Sequence, residues 1–156
     1  MSESKAKVAI IMGSASDRET MAACGQYLDY FGIEWEEFIL SAHRTPEKTA
    51  EFARSAAANG YKILVGAASM AAHLAGALAA HSLLPVIGVP LPGSHLNGLD
   101  ALCSTVQMPI GIPVATVAIG AAGAANAAVL AAQILALHDS GIQRKLVEFR
   151  EQGSRL

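Results

Sequence analysis

The sequence predicts an α/β fold, a three-layer α/β/α arrangement around a flavodoxin-like parallel five-stranded sheet of order 2-1-3-4-5. Three observations predict it. Short Val- and Ile-rich runs alternate with longer helical segments along the chain. Those runs are nearly continuous in apolar residues, as strands covered on both faces must be. Turn and capping residues separate them at the spacing of βαβ units, and right-handed crossovers then place helices on both faces. The chain, residues 1–156, reads as one domain with a C-terminal helix.

The elements follow in order. Lys7 to Met12 is a buried strand. Gly13-Ser14-Ala15-Ser16-Asp17 is a turn rich in N-cap residues. Arg18 to Phe31 is a helix, with Gly32 as its C′ stop. Trp35 to Leu40 is the second strand. Pro46 to Asn59 is the second helix, with Pro46 in its first turn and Gly60 after its end. Tyr61 to Gly66 is the third strand. Met70 to His81 is a third helix, rich in small residues and expected to be buried. Pro85 to Val89 is the fourth strand, and Pro90 to Asn97 a loop. Gly98 to Gln107 is a short helix halted by Met108-Pro109. Val114 to Ile119 is the fifth strand, Ala121 to His138 a long alanine-rich helix, and Ile142 to Glu151 a charged, amphipathic last helix.

Composition narrows the function. The chain is 53% hydrophobic, 15% charged and 5% aromatic. Abundant alanine and glycine favour close packing and point to oligomerisation. A net charge of −2 gives no reason to expect nucleic acid or an anionic membrane as partner. Cys24 and Cys103 fit no metal or redox spacing and read as small buried apolar residues. The polar stretch Met1 to Lys7 lacks a secretory apolar core. Ile112 to Leu137 is apolar enough to suggest a membrane span. Pro113, Gly120, Gly123, Asn126 and Gln133 interrupt it, so a buried strand and helix explain it better. The expected location is cytoplasmic.

In this strand order the switch point lies between strands 1 and 3, and the loops after strands 1, 2 and 3 gather there. In the first, Gly13 permits a sharp turn, Ser14 and Ser16 supply hydroxyls, and the helix N-terminus offers amides to an anion. Asp17 can accept from ribose hydroxyls. Plain N-capping explains the same residues equally well. There is neither a GxGxxG pattern nor a Walker lysine. The second loop is Ser41-Ala42-His43-Arg44-Thr45-Pro46. Its imidazole gives and takes protons near neutral pH, and its guanidinium clamps phosphate or carboxylate. A turn with a surface His-Arg pair is the rival, weakened by the loop's position at the same sheet edge.

The third segment, Ala67 to Gly76, puts His73 about one turn into an alanine-rich helix. A structural or interface role for it stands beside a site-lining one. Gly93-Ser94-His95-Leu96-Asn97-Gly98 and Gln107-Met108-Pro109 read either as a mobile cover or as exposed turns. His81 and His138 look like helix-end residues. No grouping has metal-ligand spacing, and no Ser-His-acid set is legible. One histidine, one arginine, one aspartate and two serines can thus converge on a small phosphorylated ligand. A lone acid/base suits proton shuttling on a reactive substrate. The substrate does not follow from these residues.

Val8-Ala9-Ile10-Ile11-Met12-Gly13-Ser14 with Ser16-Asp17 resembles the opening of the PurE family, and Ser41 to Pro46 resembles its signature. Ala71-Ala72-His73-Leu74, Pro85-Val86-Ile87-Gly88-Val89-Pro90, Gln107-Met108-Pro109, Gly111-Ile112-Pro113-Val114 and Asn126 to Ala132 are similar to further family segments, in order. The resemblance implies a homo-octamer with sites at subunit contacts. It implies conversion of N5-carboxyaminoimidazole ribonucleotide to 4-carboxyaminoimidazole ribonucleotide without metal, ATP or organic cofactor. Carried over by position, Ser14, Asp17 and Arg44 would hold the ribose and phosphate, with Gly13 and Ser16 also binding substrate. Ser41 and Ala42 would shape the pocket, His43 would move the proton, and Ser69, Met70, His73 and Leu74 would line the substrate. The family usually has Gly-Ala-Gly-Gly where Ala67, Ala68, Ser69 and Met70 stand, and Pro where Ala75 stands. Side chains therefore reshape that part of the pocket. The related carboxylase class, which takes free carbon dioxide, usually has lysine at the position of Arg44 and lacks the Ala-Ala-His-Leu run. The chain resembles the mutase class.

Overall fold

The computed structural model describes residues 7–156. The polar opening Met1 to Lys7 therefore lies, but for Lys7, outside the described residues. Five parallel strands, β1 (Lys7–Met12), β2 (Glu34–Ile39), β3 (Tyr61–Ser69), β4 (Val86–Leu91) and β5 (Ala115–Thr116), form one sheet of order β2-β1-β3-β4-β5. Among the described residues six α-helices accompany them: α1 (Arg18–Phe31), α2 (Pro46–Ser55), α3 (Leu74–His81), α4 (Leu99–Val106), α5 (Ala121–Ala136) and α6 (Ser140–Glu151). This is the three-layer, flavodoxin-like arrangement expected from the alternating pattern.

Strand alternation divides the core in two. Val8, Ile10 and Met12 face one side and pack with Cys24, Leu28 and Phe31 of α1, the alanines of α5, and Phe149 of α6. Ala9 and Ile11 face the other, with Ala53 and Ala56 around α2 and Leu74, Ala75 and Leu78 of α3. Both faces are covered, which is why β1 reads as unbroken apolar sequence. A Cβ on Gly66 would sit 3.0 Å from the Ala75 backbone and 3.1 Å from Leu78. Its bare Cα lets α3 press close against β3, and α3 carries one wall of the site.

Several elements differ from their sequence expectations. β2 begins one residue early and is a half-exposed edge strand, with a burial pattern that leaves Glu34, Glu36 and Glu37 in solvent. Those carboxylates also discourage edge-to-edge pairing. The α-helical part of α2 ends at Ser55, and the expected remainder, to residue 59, is turns. β3 continues through Ser69, and α3 starts only at Leu74. The cause is Met70, whose φ of 58° is left-handed and cannot belong to a right-handed helix. β5 is short: its pairing with β4 ends at Thr116, after which Val117 N–H to Gly88 O (3.0 Å) and Gly120 N–H to Pro90 O (2.9 Å) join the chain to β4. Cys24 is buried, which pushes its thiol up to about 12. Cys103 is exposed, contrary to expectation, because α4 turns Ala101 and Thr105 to the sheet and Cys103 away.

Candidate active site

The loops after β1, β2 and β3 enclose a cavity of about 300 Å³ at the carboxyl edge of the sheet. Gly13, Ser14 and Asp17 come from the first loop, and Ser41, Ala42, His43 and Arg44 from the second. Ala68, Ser69, Met70, Ala71, His73 and Leu74 come from the third segment.

The first loop is anchored by Gly13 N–H to Ala67 O at 3.1 Å. Ser14 then caps a single 3-10 turn, Ala15–Asp17, that leads into α1. Its hydroxyl accepts from Ser16 N–H, and Asp17 Oδ2 accepts from Ser14 N–H at 3.1 Å, a reciprocal capping box. Ser16 does not line the cavity. Its hydroxyl donates to Ser14 Oγ at 2.9 Å and braces that side chain instead. Burial raises the Asp17 carboxyl above its ordinary range, and the Ser14 N–H opposes that shift. A partly desolvated carboxylate facing a cavity is a strong acceptor for ligand hydroxyls.

The second loop closes on itself within five residues. Thr45 N–H and Thr45 Oγ1–H both donate to Ser41 O, at 2.9 and 3.1 Å. Ser41 N–H donates to Thr45 Oγ1 at 3.0 Å, and Arg44 N–H to Ser41 Oγ at 3.1 Å. The Thr45 hydroxyl is thereby engaged backwards, and it makes no capping bond to α2. Ala42, His43 and Arg44 are held at the tip of this closed turn, and the His43 and Arg44 side chains are exposed at the cavity. Among the described residues the Arg44 guanidinium forms no ion pair, so its full charge is available to an anion.

In the third segment the chain leaves β3 at Ser69, turns through left-handed Met70, and reaches His73 at the N-cap of α3. His73 is therefore not one turn inside a helix. The extra strand residues and the turn bring its ring to His43, with His43 Nε2 2.7 Å from His73 Nδ1 and the two rings nearly perpendicular at 88°. Ala68 and Ala71 also line the cavity; the sequence placed both in family-like segments but gave neither a site role. The 93–98 loop stays outside the lining. Gly93 packs near Ser69, and Ser94 bonds Asp100 at 2.9 Å as part of an ordinary turn. His81, His95, His138 and the Gln107-Met108-Pro109 segment do not line it either. Among the described residues no three His, Cys, Asp or Glu side chains group as a metal ion would require, and no helix is long and apolar enough to cross a membrane.

The arrangement offers a guanidinium and hydroxyls for a phosphorylated ligand, a carboxylate for its hydroxyls, and an imidazole pair for proton movement. Comparison with known proteins gives the family. The family described as AIR carboxylase matches residues 7–155. A protein of Haemophilus influenzae named N5-carboxyaminoimidazole ribonucleotide mutase is 53% identical over 146 residues, 94% of this chain and 89% of that one. Proteins of the same name from Escherichia coli and Bacillus subtilis are 51% and 52% identical, covering 94% and 92% of this chain and 86% and 89% of theirs. The crystal structure of Treponema denticola PurE superposes with a TM-score of 0.87 at 30% identity, covering 96% of this chain and 92% of that one.

Proposed function

The chain belongs to the AIR carboxylase family, and from that premise we propose that it is an isomerase of purine biosynthesis, converting N5-carboxyaminoimidazole ribonucleotide to 4-carboxyaminoimidazole ribonucleotide. Relatives of that name at about half identity support the reaction. The observation that carries the chemistry is the meeting of His43, Arg44, Asp17 and Ser14 in one cavity from two separate loops.

The steps follow from what each group can do. Arg44 and the Ser14 hydroxyl hold the phosphate end, and Asp17 accepts from ribose hydroxyls. Protonated His43 gives its proton to the carbamate nitrogen. The carbon–nitrogen bond breaks, its electrons stay on nitrogen, and carbon dioxide leaves. The freed amine feeds electron density to the neighbouring ring carbon. That carbon attacks carbon dioxide still held in the cavity, a proximity effect. Neutral His43 then removes the hydrogen on that carbon, the ring regains aromaticity, and His43 is protonated again. One proton leaves and one returns, so the cycle needs no second carrier. Ala42, Ser69, Met70 and Leu74 shape the cavity wall around the reacting carboxyl group.

The same premise extends to assembly and location. A homo-octamer in the cytoplasm, built from one domain per chain, fits the fully exposed Leu83 and Ile110 and the outward Leu99 and Val106 of α4, side chains that a partner subunit would cover. The test supplies each substrate separately to purified protein. N5-carboxyaminoimidazole ribonucleotide alone should yield 4-carboxyaminoimidazole ribonucleotide. Product only from aminoimidazole ribonucleotide with bicarbonate would make the protein a carboxylase. Ligand binding without turnover of either would make it a silent nucleotide-binding relative.

A further inference from the structure

The contact between His43 Nε2 and His73 Nδ1, at 2.7 Å, fixes more than proximity. A bond this short between two ring nitrogens requires a hydrogen on one and a lone pair on the other. Heavy-atom positions leave the direction open, and the acid/base cycle of His43 decides it. When His43 is protonated both its nitrogens carry hydrogen, so His73 Nδ1 can only accept. When His43 is neutral, the contact survives without rearrangement only if His43 keeps the hydrogen on Nε2 and His73 still accepts. His73 must then be the neutral tautomer with its hydrogen on Nε2. The substrate proton must enter and leave at the other nitrogen of His43, Nδ1.

We infer that His73 is a positioning residue that holds His43 in its Nε2–H tautomer and rotamer, leaving His43 Nδ1 as the atom that exchanges the proton with substrate. This rests on the proposed acid/base role of His43. The fold supplies the rigidity the task needs. His73 stands at the N-cap of α3, its backbone N–H bonded to Ala71 O at 2.9 Å and its carbonyl accepting from Ala77 N–H at 2.9 Å. α3 in turn is packed on β3 through the Gly66 approach. His43 sits on the closed second loop. Two stiff supports therefore meet through a single hydrogen bond, as an orienting partner of a catalytic imidazole should.

The test compares three replacements of His73. Asparagine places an oxygen on Cγ, where Nδ1 is attached, so His73→Asn keeps the acceptor. His73→Gln moves it one bond further out, and His73→Ala removes it. The expected result is a kcat about 10- to 100-fold lower for His73→Gln and His73→Ala, with His73→Asn recovering most of that loss. Equal loss in the asparagine and glutamine variants, or full activity in the alanine variant, overturns the inference. Nitrogen NMR of histidine-labelled, substrate-free protein provides a readout independent of turnover. Neutral His43 should show the Nε2–H tautomer in the parent and in His73→Asn, and a mixture in His73→Ala. An unchanged tautomer in His73→Ala overturns the inference even if the parent proves inactive, whereas parent inactivity alone defeats only the proposed reaction.

Discussion

The second loop, Ser41 to Pro46, and the third segment, Ser69 to His73, each deliver one histidine to the same point by different means. The second loop is stabilised locally. Four hydrogen bonds among Ser41, Arg44 and Thr45 close it, and every partner lies within five residues. The third segment has a single bond of that kind, His73 N–H to Ala71 O at 2.9 Å. It depends on β3 running past its expected end, on a left-handed Met70, and on α3 docking against β3. A site can thus combine one wall that its own residues specify with another that only the assembled sheet specifies. The first should tolerate distant change and fail on local change; the second should do the reverse.

The largest effect expected from breaking this pairing is at its centre. His43→Asn should lower turnover by about 10²- to 10⁴-fold, the usual worth of general acid/base catalysis, with ribonucleotide binding by calorimetry nearly intact. Turnover within a few-fold of the parent would remove His43 from proton transfer. Next is Arg44→Leu, which removes the charged grip while leaving the loop's hydrogen bonds in place. It should weaken ribonucleotide affinity by about 10- to 100-fold, as loss of a charge-assisted bond of about 1.5–3 kcal/mol implies. Unchanged affinity would put the phosphate elsewhere.

Thr45→Val tests local closure itself. It removes both bonds of the Thr45 hydroxyl and should cost about 1–2 kcal/mol in unfolding free energy while reducing kcat/KM, because His43 loses its fixed placement. A stability loss with kcat/KM unchanged would show that the loop finds its geometry without closure. Met70→Gly tests the other wall. A residue with a side chain at this φ carries about 1–2 kcal/mol of strain, and glycine releases it against about 0.4–1 kcal/mol of added unfolded-chain entropy. Denaturant unfolding should show a change between about zero and a gain of about 1.6 kcal/mol; a clear loss would mean that the Met70 side chain holds the segment in place.

The smallest effect lies far from both walls. Hydrogen bonds from Tyr61 and then Lys7 hold the Glu36 carboxyl below its ordinary range, and burial, then Glu36, pushes the Tyr61 phenol up to about 12. The Glu36 contribution is present above the ordinary carboxylate range and fades as pH falls through the lowered value. The Tyr61 contribution is present below the usual phenol range and fades as pH rises through about 12. Tyr61→Phe should flatten both limbs of the stability profile and leave the pH dependence of turnover untouched. A shift in that dependence would couple the distal edge to the site.

The contrast between the two walls also explains what the sequence disclosed. The alternating pattern carried the strand order because parallel strands covered on both faces, such as Val8 to Met12, cannot be mistaken for polar loops. Gly32 marked the end of α1 because its backbone is left-handed there, with φ of 71°. The second loop was legible because its geometry is local and its residues, Ser, His, Arg, Thr and Pro, are individually distinctive. The third was misread as an early helix start. Alanine-rich sequence has helical character, and nothing local announces that Met70 adopts a conformation usually left to glycine or that β3 continues to Ser69. Ser16 and Ser14 are equivalent in sequence; only the folded turn separates the hydroxyl that lines the cavity from the one that braces it.

A crystal structure with 4-carboxyaminoimidazole ribonucleotide bound is the decisive measurement for proton transfer by His43. It should show the phosphate on Arg44, ribose hydroxyls on Asp17, and one ring nitrogen of His43 within hydrogen-bond reach of the exocyclic amine, close to the ring carbon that carries the new carboxyl group. A heterocycle seated out of reach of His43, with the imidazole turned to solvent, would contradict it.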